Sequence, residues 1–540
     1  MLQGPRGALF AGRLLGGGVC RGARTAHVRT AHTAPQSRQR IAIGGVAAAI
    51  AAATAAATAS LWLIHAEADA VFPPTERTVA LDAIHAWGAN KSHVAAPGSS
   101  ATSVTTPTQV PSLSGTFRDV QLAATHGAAV DAHGDVVQWG DGYAQGDPQR
   151  TLVGHDIARV QLTADKLYAL ARNGTIYTIP VRADAQTKHS GVFGSGVKAT
   201  ALVCHGGSER FTDIAAGAHH LLALSKNGRV WSVALDERAN DYGQLGTSAV
   251  TFDAADGSRY EAQVPPKVAR TEAVSPASST TLRVVPALRD VSVAQIAAGS
   301  EHSVARTPEG RVVSWGRNHI GQLGVGPGVL AETVAVPTEV VFPASLVGRT
   351  ASCSSIAAGG ANSFFVVHGR GAPRSRNEDE PRAPAPSARI DVLAAGGGAQ
   401  GSLGNGQRPQ GAGVPVRVKA ISGLYEYSEQ ANGLVPIGIH HIIVGDGQCA
   451  AVLEAPPIGK ETHRDVYVWG ANDTYQLGTG RKGHVAAPVL LTLGGDARET
   501  RDAPVMNRLQ LIERRGSLLT SGEAQTIAAG GGAMAIYTRE

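Results

Sequence analysis

Hydrophobic and polar positions alternate along short segments of this chain, and the alternation recurs. One segment, beginning at Gln295, reads QIAAGSEHSVARTPEGRVVSWGRNHIGQLG, and another, beginning at Asp213, reads DIAAGAHHLLALSKNGRVWSVALDERANDYGQLG. Each contains an apolar run ending in Ala-Ala-Gly, a second run, a turn, a third run and a loop that closes on Gly-Gln-Leu-Gly. Such alternation between glycine-rich turns predicts β-strands rather than helices. The pattern therefore predicts an all-β repeat protein.

A fixed spacing links the second strand of each unit to the turn that follows it. His126, Lys166, His220 and His302 each stand eight residues before a glycine. In two units that glycine follows Asn, and Asn-Gly pairs favour tight hairpin turns because both positions tolerate positive φ. The spacing predicts antiparallel hairpins that keep one register from unit to unit.

The last unit is completed from the other end of the chain. First strands begin near Val120, Val160, Ile214, Ile296, Ile356, Ile442 and Ile527. The unit at Ile527 stops at Glu540 before any Trp-Gly pair, whereas residues 79–93 contain Trp87-Gly88 in the expected context. A ring that takes strands from both chain ends leaves no long free sheet edge. We predict a seven-bladed β-propeller over residues 79–540, closed between its N- and C-terminal segments.

The units resemble the regulator of chromosome condensation repeat family. The segments most similar to its pattern are 297–324 and 466–478, followed by 215–246. Three units depart from the pattern: Ile176-Tyr177-Thr178 stands in place of Trp-Gly, Trp231 is displaced from its glycine, and residues 393–406 contain no tryptophan. The resemblance covers 79–540 and implies the propeller fold.

The repeated Trp-Gly pairs and histidines are interpreted as structural residues. They are Trp87, Gly88, Trp139, Gly140, Trp315, Gly316, Trp469, Gly470, His126, His220 and His302. The tryptophans are expected to pack between adjacent blades, and each glycine to let the chain turn out of its strand. The histidines are expected to bond backbone inside their own blades, with a ligand-binding role as the alternative.

No motif indicates catalysis, a cofactor or a metal. The chain lacks G-x-S-x-G, H-E-x-x-H and Walker sequences, and its four cysteines have no C-x-x-C spacing. The run GGGAQGSLGNG, from Gly396, lacks the Lys-Ser/Thr of a phosphate loop, so turn glycines explain it better. We expect a protein that is not an enzyme and has no catalytic, cofactor-binding or metal-binding residues.

Residues 1–64 differ in composition from the rest. Residues 1–40 contain seven arginines and no carboxylate, which is typical of a mitochondrial transit peptide. Residues 41–64 are uncharged, and as a helix they are long enough to cross a bilayer core of roughly 30 Å. An alanine-rich soluble helix, a longer cleaved leader and a secretory signal are the alternatives. We predict a transit peptide (1–40), one transmembrane helix (41–64) and a linker (65–78).

The distribution of charged residues predicts the orientation in the membrane and argues against a nucleic-acid partner. The formal net charge is +5, but beyond residue 40 the chain has 41 basic and 43 acidic side chains, so we expect no nucleic-acid partner. Arg38 and Arg40 precede the predicted helix, and Glu67 and Asp69 follow it. The positive-inside rule then places the propeller in the intermembrane space. Residues 369–388, charged and rich in proline, predict a disordered insertion.

The order of leader, single span and propeller is similar to that of fungal mitochondrial inner-membrane members of the family. This resemblance implies an assembly factor for respiratory complex III, the cytochrome bc complex. Its partners would be the inner-membrane bilayer and mitochondrial membrane proteins such as complex III subunits or other assembly factors. The alternatives are guanine-nucleotide exchange on a small GTPase, the activity of the family's nuclear founder, and association with the mitoribosome.

Overall fold

The computed structural model describes residues 83–191, 194–247, 249–253, 259–263, 280–327, 329, 331–348, 351–369, 388–429, 431–455, 461–492, 508–516 and 522–539. All of them belong to one compact unit, Pro74–Glu540. The predicted transit peptide, transmembrane helix and linker lie outside these residues, as do 370–387 of the predicted insertion. Among the described residues, no helix has the length and apolar character that a bilayer crossing requires.

Most strands form antiparallel sets of four, numbered here along the chain. Sets 1 to 3 are β3 (Phe117–Leu122), β4 (His126–Asp131), β5 (Val136–Gly140) and β6 (Gln149–Leu152); β7 (Ile157–Leu162), β8 (Lys166–Ala171), β9 (Ile176–Pro180) and β12 (Thr200–Ala201); and β14 (Phe211–Ala216), β15 (His220–Ser225), β16 (Val230–Ala234) and β19 (Thr281–Val284). Sets 4 and 5 are β20 (Gln295–Ala298), β21 (His302–Arg306), β22 (Val312–Arg317) and β23 (Thr333–Glu339); and β24 (Ser352–Gly359), β25 (Asn362–Gly369), β26 (Arg389–Gly396) and β27 (Ala412–Arg417). Sets 6 and 7 are β30 (Ile439–Val444), β31 (Gln448–Leu453), β32 (Glu461–Gly470) and β33 (Val485–Leu490); and β35 (Glu523–Gly530), β36 (Ala533–Arg539), β1 (Ala83–Ala89) and β2 (Ser103–Ser114).

Additional elements decorate the sets. Three separate hairpins are β10 (Lys188–Gly191) with β11 (Gly194–Val197), β17 (Ala249–Asp253) with β18 (Arg259–Gln263), and β28 (Tyr425–Ser428) with β29 (Gly433–Pro436). β13 (Val203–Cys204) adds to β19, and β34 (Gln510–Arg514) lies between β32 and β35. Helical structure in the described chain comprises α1 (Ala344–Val347) and the 3-10 turns Ala144–Gly146, Ala183–Ala185, Pro286–Leu288 and Lys419–Ile421.

Set 7 joins the two ends of the described chain. β1 pairs antiparallel with β36, with His85 opposite Ile536 and Gly88 opposite Ala533. On its other side β1 pairs with β2. The C-terminal hairpin β35–β36 thus receives its third and fourth strands from the N-terminal segment.

The hydrophobic core is divided among the interfaces between successive sets. One cluster combines Val312 of set 4 with Phe365 of set 5. Another combines Val468 of set 6 with Met534 of set 7, and a further cluster joins set 7 to set 1. Each set therefore buries its apolar faces against the sets before and after it, as repeat architectures require.

The turns between second and third strands share one geometry. Gly134, Gly174, Gly228 and Gly310 have φ of 84°, 87°, 76° and 87°. The residue that precedes each of these glycines does not have a positive φ. The Asn-Gly pairs therefore differ from the expected turn in which both residues have positive φ, and fit a type I turn followed by a glycine bulge.

Removal of residues 533–540 deletes β36, which pairs with both β1 and β35. We expect this truncated chain to lose cooperative thermal unfolding, measured by circular dichroism, because two ladders lose their partner at once. Removal of residues 1–78 leaves every described pairing intact and is the control. Native-like melting of the C-terminal truncation would show that the pairing of β1 with β36 is dispensable.

Candidate functional site

The four repeated tryptophans lie at interfaces between sets, and each is at most 1% exposed. Each indole N–H donates a hydrogen bond to a backbone carbonyl in the loop of the preceding set. The pairs are Trp87 with Gln476 (3.0 Å), Trp139 with Val94 (2.9 Å), Trp315 with Gln244 (2.9 Å) and Trp469 with Ser402 (2.8 Å). A buried indole thus packs between two sets and has its polar atom satisfied.

The glycines after these tryptophans lie at irregular points of the ladders. Gly88, Gly140, Gly316 and Gly470 have φ of 107°, 110°, 110° and 99°. The register shifts between Ser314 and Gly316, and the strand continues to Arg317. A Cβ at Gly316 would lie 2.6 Å from the Glu301 carbonyl oxygen. The extra residues at this register shift are on β23 rather than at Gly316. β5 and β32 end at Gly140 and Gly470, and β1 and β22 end one residue after their glycines, so each of these glycines lies at the end of its strand.

Strand register identifies the residues that replace Trp-Gly in the other sets. In set 2, Leu167 is opposite Ile179, so Ile179-Pro180 takes the position that the sequence pattern assigned to Ile176-Tyr177-Thr178. Set 3 has Val233-Ala234 at that position, with Trp231 two residues earlier on the same strand. Set 5 has Ala395-Gly396. The register is preserved although the large aromatic residue is missing.

Two of the repeated histidines bond side chains of the following set. The Nε2 atoms of His220 and His302 lie 2.9 Å from the hydroxyls of Ser303 and Ser363, respectively. Each serine hydroxyl donates to a loop carbonyl, Ser303 to Gln244 (2.9 Å) and Ser363 to Gln322 (2.8 Å). Each serine therefore accepts the proton of a histidine that is protonated on Nε2.

The expectation that the histidines bond backbone inside their own sets is wrong for His220 and His302. Because the serine that each one contacts lies on the neighbouring set, these histidines connect sets. His126 contacts its own set, but its Nδ1 lies 2.8 Å from the side-chain hydroxyl of Thr125 rather than from a backbone group. Burial lowers the pKa of His220 to about 3 and that of His302 to about 4, so both are neutral at physiological pH.

The glycine of the Ala-Ala-Gly motif lies close to backbone of the next set. A Cβ at Gly299 would lie 2.8 Å from the Gly360 carbonyl oxygen, and one at Gly530 would lie 2.0 Å from that of Leu122. The backbone N–H of Ser300 donates to the Gly360 carbonyl at 2.8 Å. Glycine is needed here because any side chain would collide with backbone of the next set.

First strands of all the sets line a shared cavity of about 800 Å³. Seven residues, one from the first strand of each set, occupy equivalent positions and are called the girdle below. Each stands seven residues before the position that corresponds to His302 of set 4. The girdle consists of Asp119, Arg159, Asp213, Gln295, Ser355, His441 and Thr526.

Girdle residues bond the neighbouring set. Arg159 forms an ion pair of 2.6 Å with Asp213, and the ring of His441 lies 3.1 Å from the Thr526 hydroxyl. Asp119 accepts the backbone N–H of Val160 at 2.9 Å. The side chain of Gln295 bonds both the N–H (3.1 Å) and the carbonyl (2.9 Å) of Ile356.

Burial controls the charge of the girdle. It raises the pKa of Asp119 to about 6, against the opposing effects of the Val160 N–H, Arg159 and Arg539. It also raises the pKa of Asp213 and lowers that of His441 to about 3. At neutral pH the girdle therefore combines ionised carboxylates, a guanidinium and a neutral imidazole, which hold adjacent first strands together.

The described residues contain no cluster of three His, Cys, Asp or Glu side chains that would hold a metal ion. Cys353 and Cys449 are buried, and burial raises the pKa of both thiols, that of Cys353 to about 12. Both stay protonated at neutral pH, which makes them poor nucleophiles.

Sequence reasoning found the tryptophans, glycines and histidines and missed the serines and the girdle. The signal for the girdle is its constant offset, because its residue types vary between sets and only Asp occurs twice. Ser303 and Ser363 directly follow His302 and Asn362, the first residues of their second strands. Their role depends on the neighbouring set and is invisible within one repeat.

Comparison with known proteins agrees with this geometry. Models of the regulator of chromosome condensation (RCC1) repeat match residues 293–322, 309–366 and 465–499, within sets 4 to 6. Residues 293–366 and 465–499 therefore match the regulator of chromosome condensation repeat. Two solved structures resemble it: Prp20p from Saccharomyces cerevisiae (TM-score 0.54, 17% identity, 86% of this chain and 92% of that one) and human WBSCR16 (0.55, 16%, 85% and 100%). At these identities they show the fold alone, an all-β propeller.

A curated relative is Protein FMP25, mitochondrial, from Saccharomyces cerevisiae. It is 26% identical over 402 residues, which is 70% of this chain and 61% of the yeast protein. The match thus spans less than two thirds of that relative.

Ser363→Ala removes the acceptor of the His302 N–H and the donor to the Gln322 carbonyl. We expect the free energy of unfolding, measured by denaturant titration, to fall by about 1–3 kcal/mol because two buried groups lose their partner. Ser352 bonds the Glu309 carbonyl at 3.1 Å at an exposed site, so Ser352→Ala is the matched control. Equal effects of the two substitutions would contradict the bridging role of Ser363.

His220 and His302 also predict a pH dependence of stability. Their pKa values are below 6.5 in the folded protein, so the unfolded chain binds more protons between about pH 4 and 6.5. Their contribution is complete above pH 6.5 and is lost as pH falls through this window. Asp119, with its raised pKa, opposes this trend between about pH 4 and 6.

We therefore expect His302→Gln, compared with the parent chain, to show a smaller loss of unfolding free energy between pH 7.5 and 5. The substitution conserves hydrogen-bonding capacity and matches Gln448, which occupies the same position in set 6. Denaturant titrations at pH 7.5 and pH 5 give the change of unfolding free energy with pH, which is the slope compared. An unchanged slope would show that His302 does not titrate with a lowered pKa.

Proposed function

We propose that the chain is a non-enzymatic, membrane-anchored mitochondrial scaffold that assists assembly of respiratory complex III. The observation that carries this proposal is a match, over 70% of this chain, to a yeast protein whose name describes it as mitochondrial. The arginine-rich residues 1–40, which contain no carboxylate, also support it. The complex III role comes from the resemblance of the leader, span and propeller order to inner-membrane members of the family.

The proposed architecture is a closed ring of seven blades. Its support is the sequence of four-stranded sets, a hydrophobic cluster at each junction between successive sets, and the pairing of β1 with β36. Closure of this kind would leave the outer strands and inserted hairpins as the surfaces that meet partners.

The proposed location is the inner membrane, with residues 41–64 as the single span and the propeller in the intermembrane space. Arginines before this segment and carboxylates after it support the orientation. The expected partners are membrane proteins of the same compartment, such as complex III subunits or assembly factors.

A scaffold role is favoured by the use of the polar side chains inside the ring. The girdle ion pair of Arg159 with Asp213 and the histidine–serine bonds connect neighbouring sets. These groups stabilise the fold. Recognition would then fall to the outer surface.

Mitochondria from cells that lack this protein should contain less assembled complex III and have lower ubiquinol–cytochrome c reductase activity, with citrate synthase unchanged. The full chain should restore both, and a chain without residues 41–64 should restore neither if anchoring is required. Native gels and spectroscopic assays measure the two quantities.

Alkaline carbonate should leave the protein in the membrane, and protease should digest the propeller in mitoplasts.

Other results decide between the alternatives. Normal complex III in the deletion cells would overturn the assembly role. Accelerated nucleotide release from a small GTPase by the purified chain would favour exchange activity, and loss of mitochondrial translation before any change in complex III would favour a ribosome-associated factor. Full protease protection in mitoplasts would place the propeller in the matrix.

A further inference from the structure

A groove of about 560 Å³ lies at the junction between sets 2 and 3. Three short segments form it, residues 173–175, 208–210 and 226–227, and it is called the turn groove below. The first and third segments belong to the Asn-Gly turns of the two sets, and the second directly precedes β14. The groove has room for an oxyanion together with part of the molecule that carries it.

Backbone contacts fix the three segments relative to one another. The Lys226 N–H donates to the Arg210 carbonyl at 2.8 Å, and the Phe211 N–H donates to the Gly174 carbonyl at 3.1 Å. A Cβ at Gly174 would lie 2.8 Å from the Arg210 Cβ, so the stem of the arginine lies against the turn glycine. The walls of the groove are therefore preorganised, which lowers the entropic cost of binding.

Two cationic side chains in the turn groove lack a partner. Arg210 and Lys226 are exposed, and in the described part of the chain neither side chain forms an ion pair or a hydrogen bond. The acidic residue of the lining, Glu209, lies 3.4 Å from Arg229. Because Arg229 balances Glu209, Arg210 and Lys226 leave the groove with two excess positive charges.

The equivalent positions of set 2 carry opposite charges. There the Arg172 N–H donates to the Asp156 carbonyl at 2.9 Å, as the Lys226 N–H does to that of Arg210. The Asp156 carboxylate lies 4.0 Å from the Arg172 guanidinium and 2.6 Å from that of Arg118. In set 3 a guanidinium replaces this carboxylate, which places like charges on hydrogen-bonded neighbours and costs electrostatic free energy. An anion bound between them would offset the repulsion.

Charge and hydrogen-bond donors in the turn groove fit a phosphate group. A phosphate monoester carries about −1.5 to −2 charges near neutral pH, which matches two cations better than the single charge of a carboxylate. A guanidinium can donate to two phosphate oxygens at once, and a lysine adds a point charge. The Ser208 hydroxyl and the Asn227 amide also line the groove and can donate to the remaining oxygens.

We propose that the turn groove binds a phosphate group through charge-assisted hydrogen bonds from Arg210 and Lys226. The phosphate belongs to a soluble compound or to a lipid headgroup, since both present the same oxygens. The proposal goes beyond the assembly role and does not depend on it. Phosphate binding is measured on the purified chain, so either proposal can fail without the other.

Isothermal titration calorimetry of the purified full chain with inorganic phosphate tests the site. We expect Arg210→Gln with Lys226→Gln to weaken binding about tenfold or more, because both charge-assisted contacts are lost. Arg311→Gln with Lys419→Gln is the matched control, since it removes one exposed Arg and one exposed Lys outside the groove. It should change binding by less than about twofold because solvent and salt screen exposed charges. Equal weakening by the two pairs, or no saturable phosphate binding by the parent chain, would overturn the proposal.

Charge reversal separates binding from folding. Arg210→Asp copies the arrangement of Asp156 in set 2 and gives Lys226 an opposite charge, so we expect the melting temperature in phosphate-free buffer to be retained. Added phosphate should raise the melting temperature of the parent chain but not of this variant, because a ligand stabilises only the state that binds it. The same rise in both chains would contradict the assignment of Arg210.

Two further titrations define the ligand. Acetate that binds as tightly as inorganic phosphate would overturn the proposal, since a carboxylate carries one charge. Tighter binding of inorganic phosphate than of glycerophosphoglycerol, an anionic lipid headgroup without its acyl chains, would support a soluble phosphate compound. The reverse order would support a lipid headgroup.

Discussion

A loop carbonyl at the junction between sets is the interaction on which the architecture depends. The Gln244 carbonyl of set 3 accepts the indole N–H of Trp315 and the hydroxyl of Ser303, both from set 4, and that hydroxyl also accepts the His220 N–H from set 3. The Ser402 carbonyl receives Trp469 in the same way. Burial leaves these polar groups no water to bond, so losing one partner leaves another unsatisfied. The propeller is held by such junctions as well as by apolar contact.

Much of this fold follows from local sequence, because each repeat displays its own strands and turns. The spacing from His302 to Gly310 reflects a hairpin formed by residues close together in the chain. The glycine of the Ala-Ala-Gly motif reflects a close approach of backbone from the next set, which recurs along the chain. The Trp-Gly motif indicated burial at the junctions. In sets 2, 3 and 5 it is absent, and Ile179, Val233 and Ala395 take the place of tryptophan. Their assignment needs the strand register, which the sequence alone does not reveal.

Contacts between sets were harder to predict because their partners lie far apart in the chain. Ser363 becomes informative only when it lies beside His302, and the girdle residue Arg159 only when it lies beside Asp213. The β28–β29 hairpin resembles a connecting loop in sequence, with Gly and Asn at its turn. The pairing of its two strands, with Tyr427 opposite Leu434, is known only from the structure. The family pattern gives no residue for recognition, since its motif residues serve the fold.

The pairing of β1 with β36 has a consequence for the order in which the protein is made and delivered. A chain that enters a compartment N-terminus first presents β1 long before β36 arrives, so set 7 cannot form while the rest is in transit. Contacts between residues so distant in sequence form slowly. The edge of β1 is exposed during that interval, when it would be open to chaperones or to pairing with other chains. In such a chain the edge of β1 is covered only when β36 arrives and pairs with it.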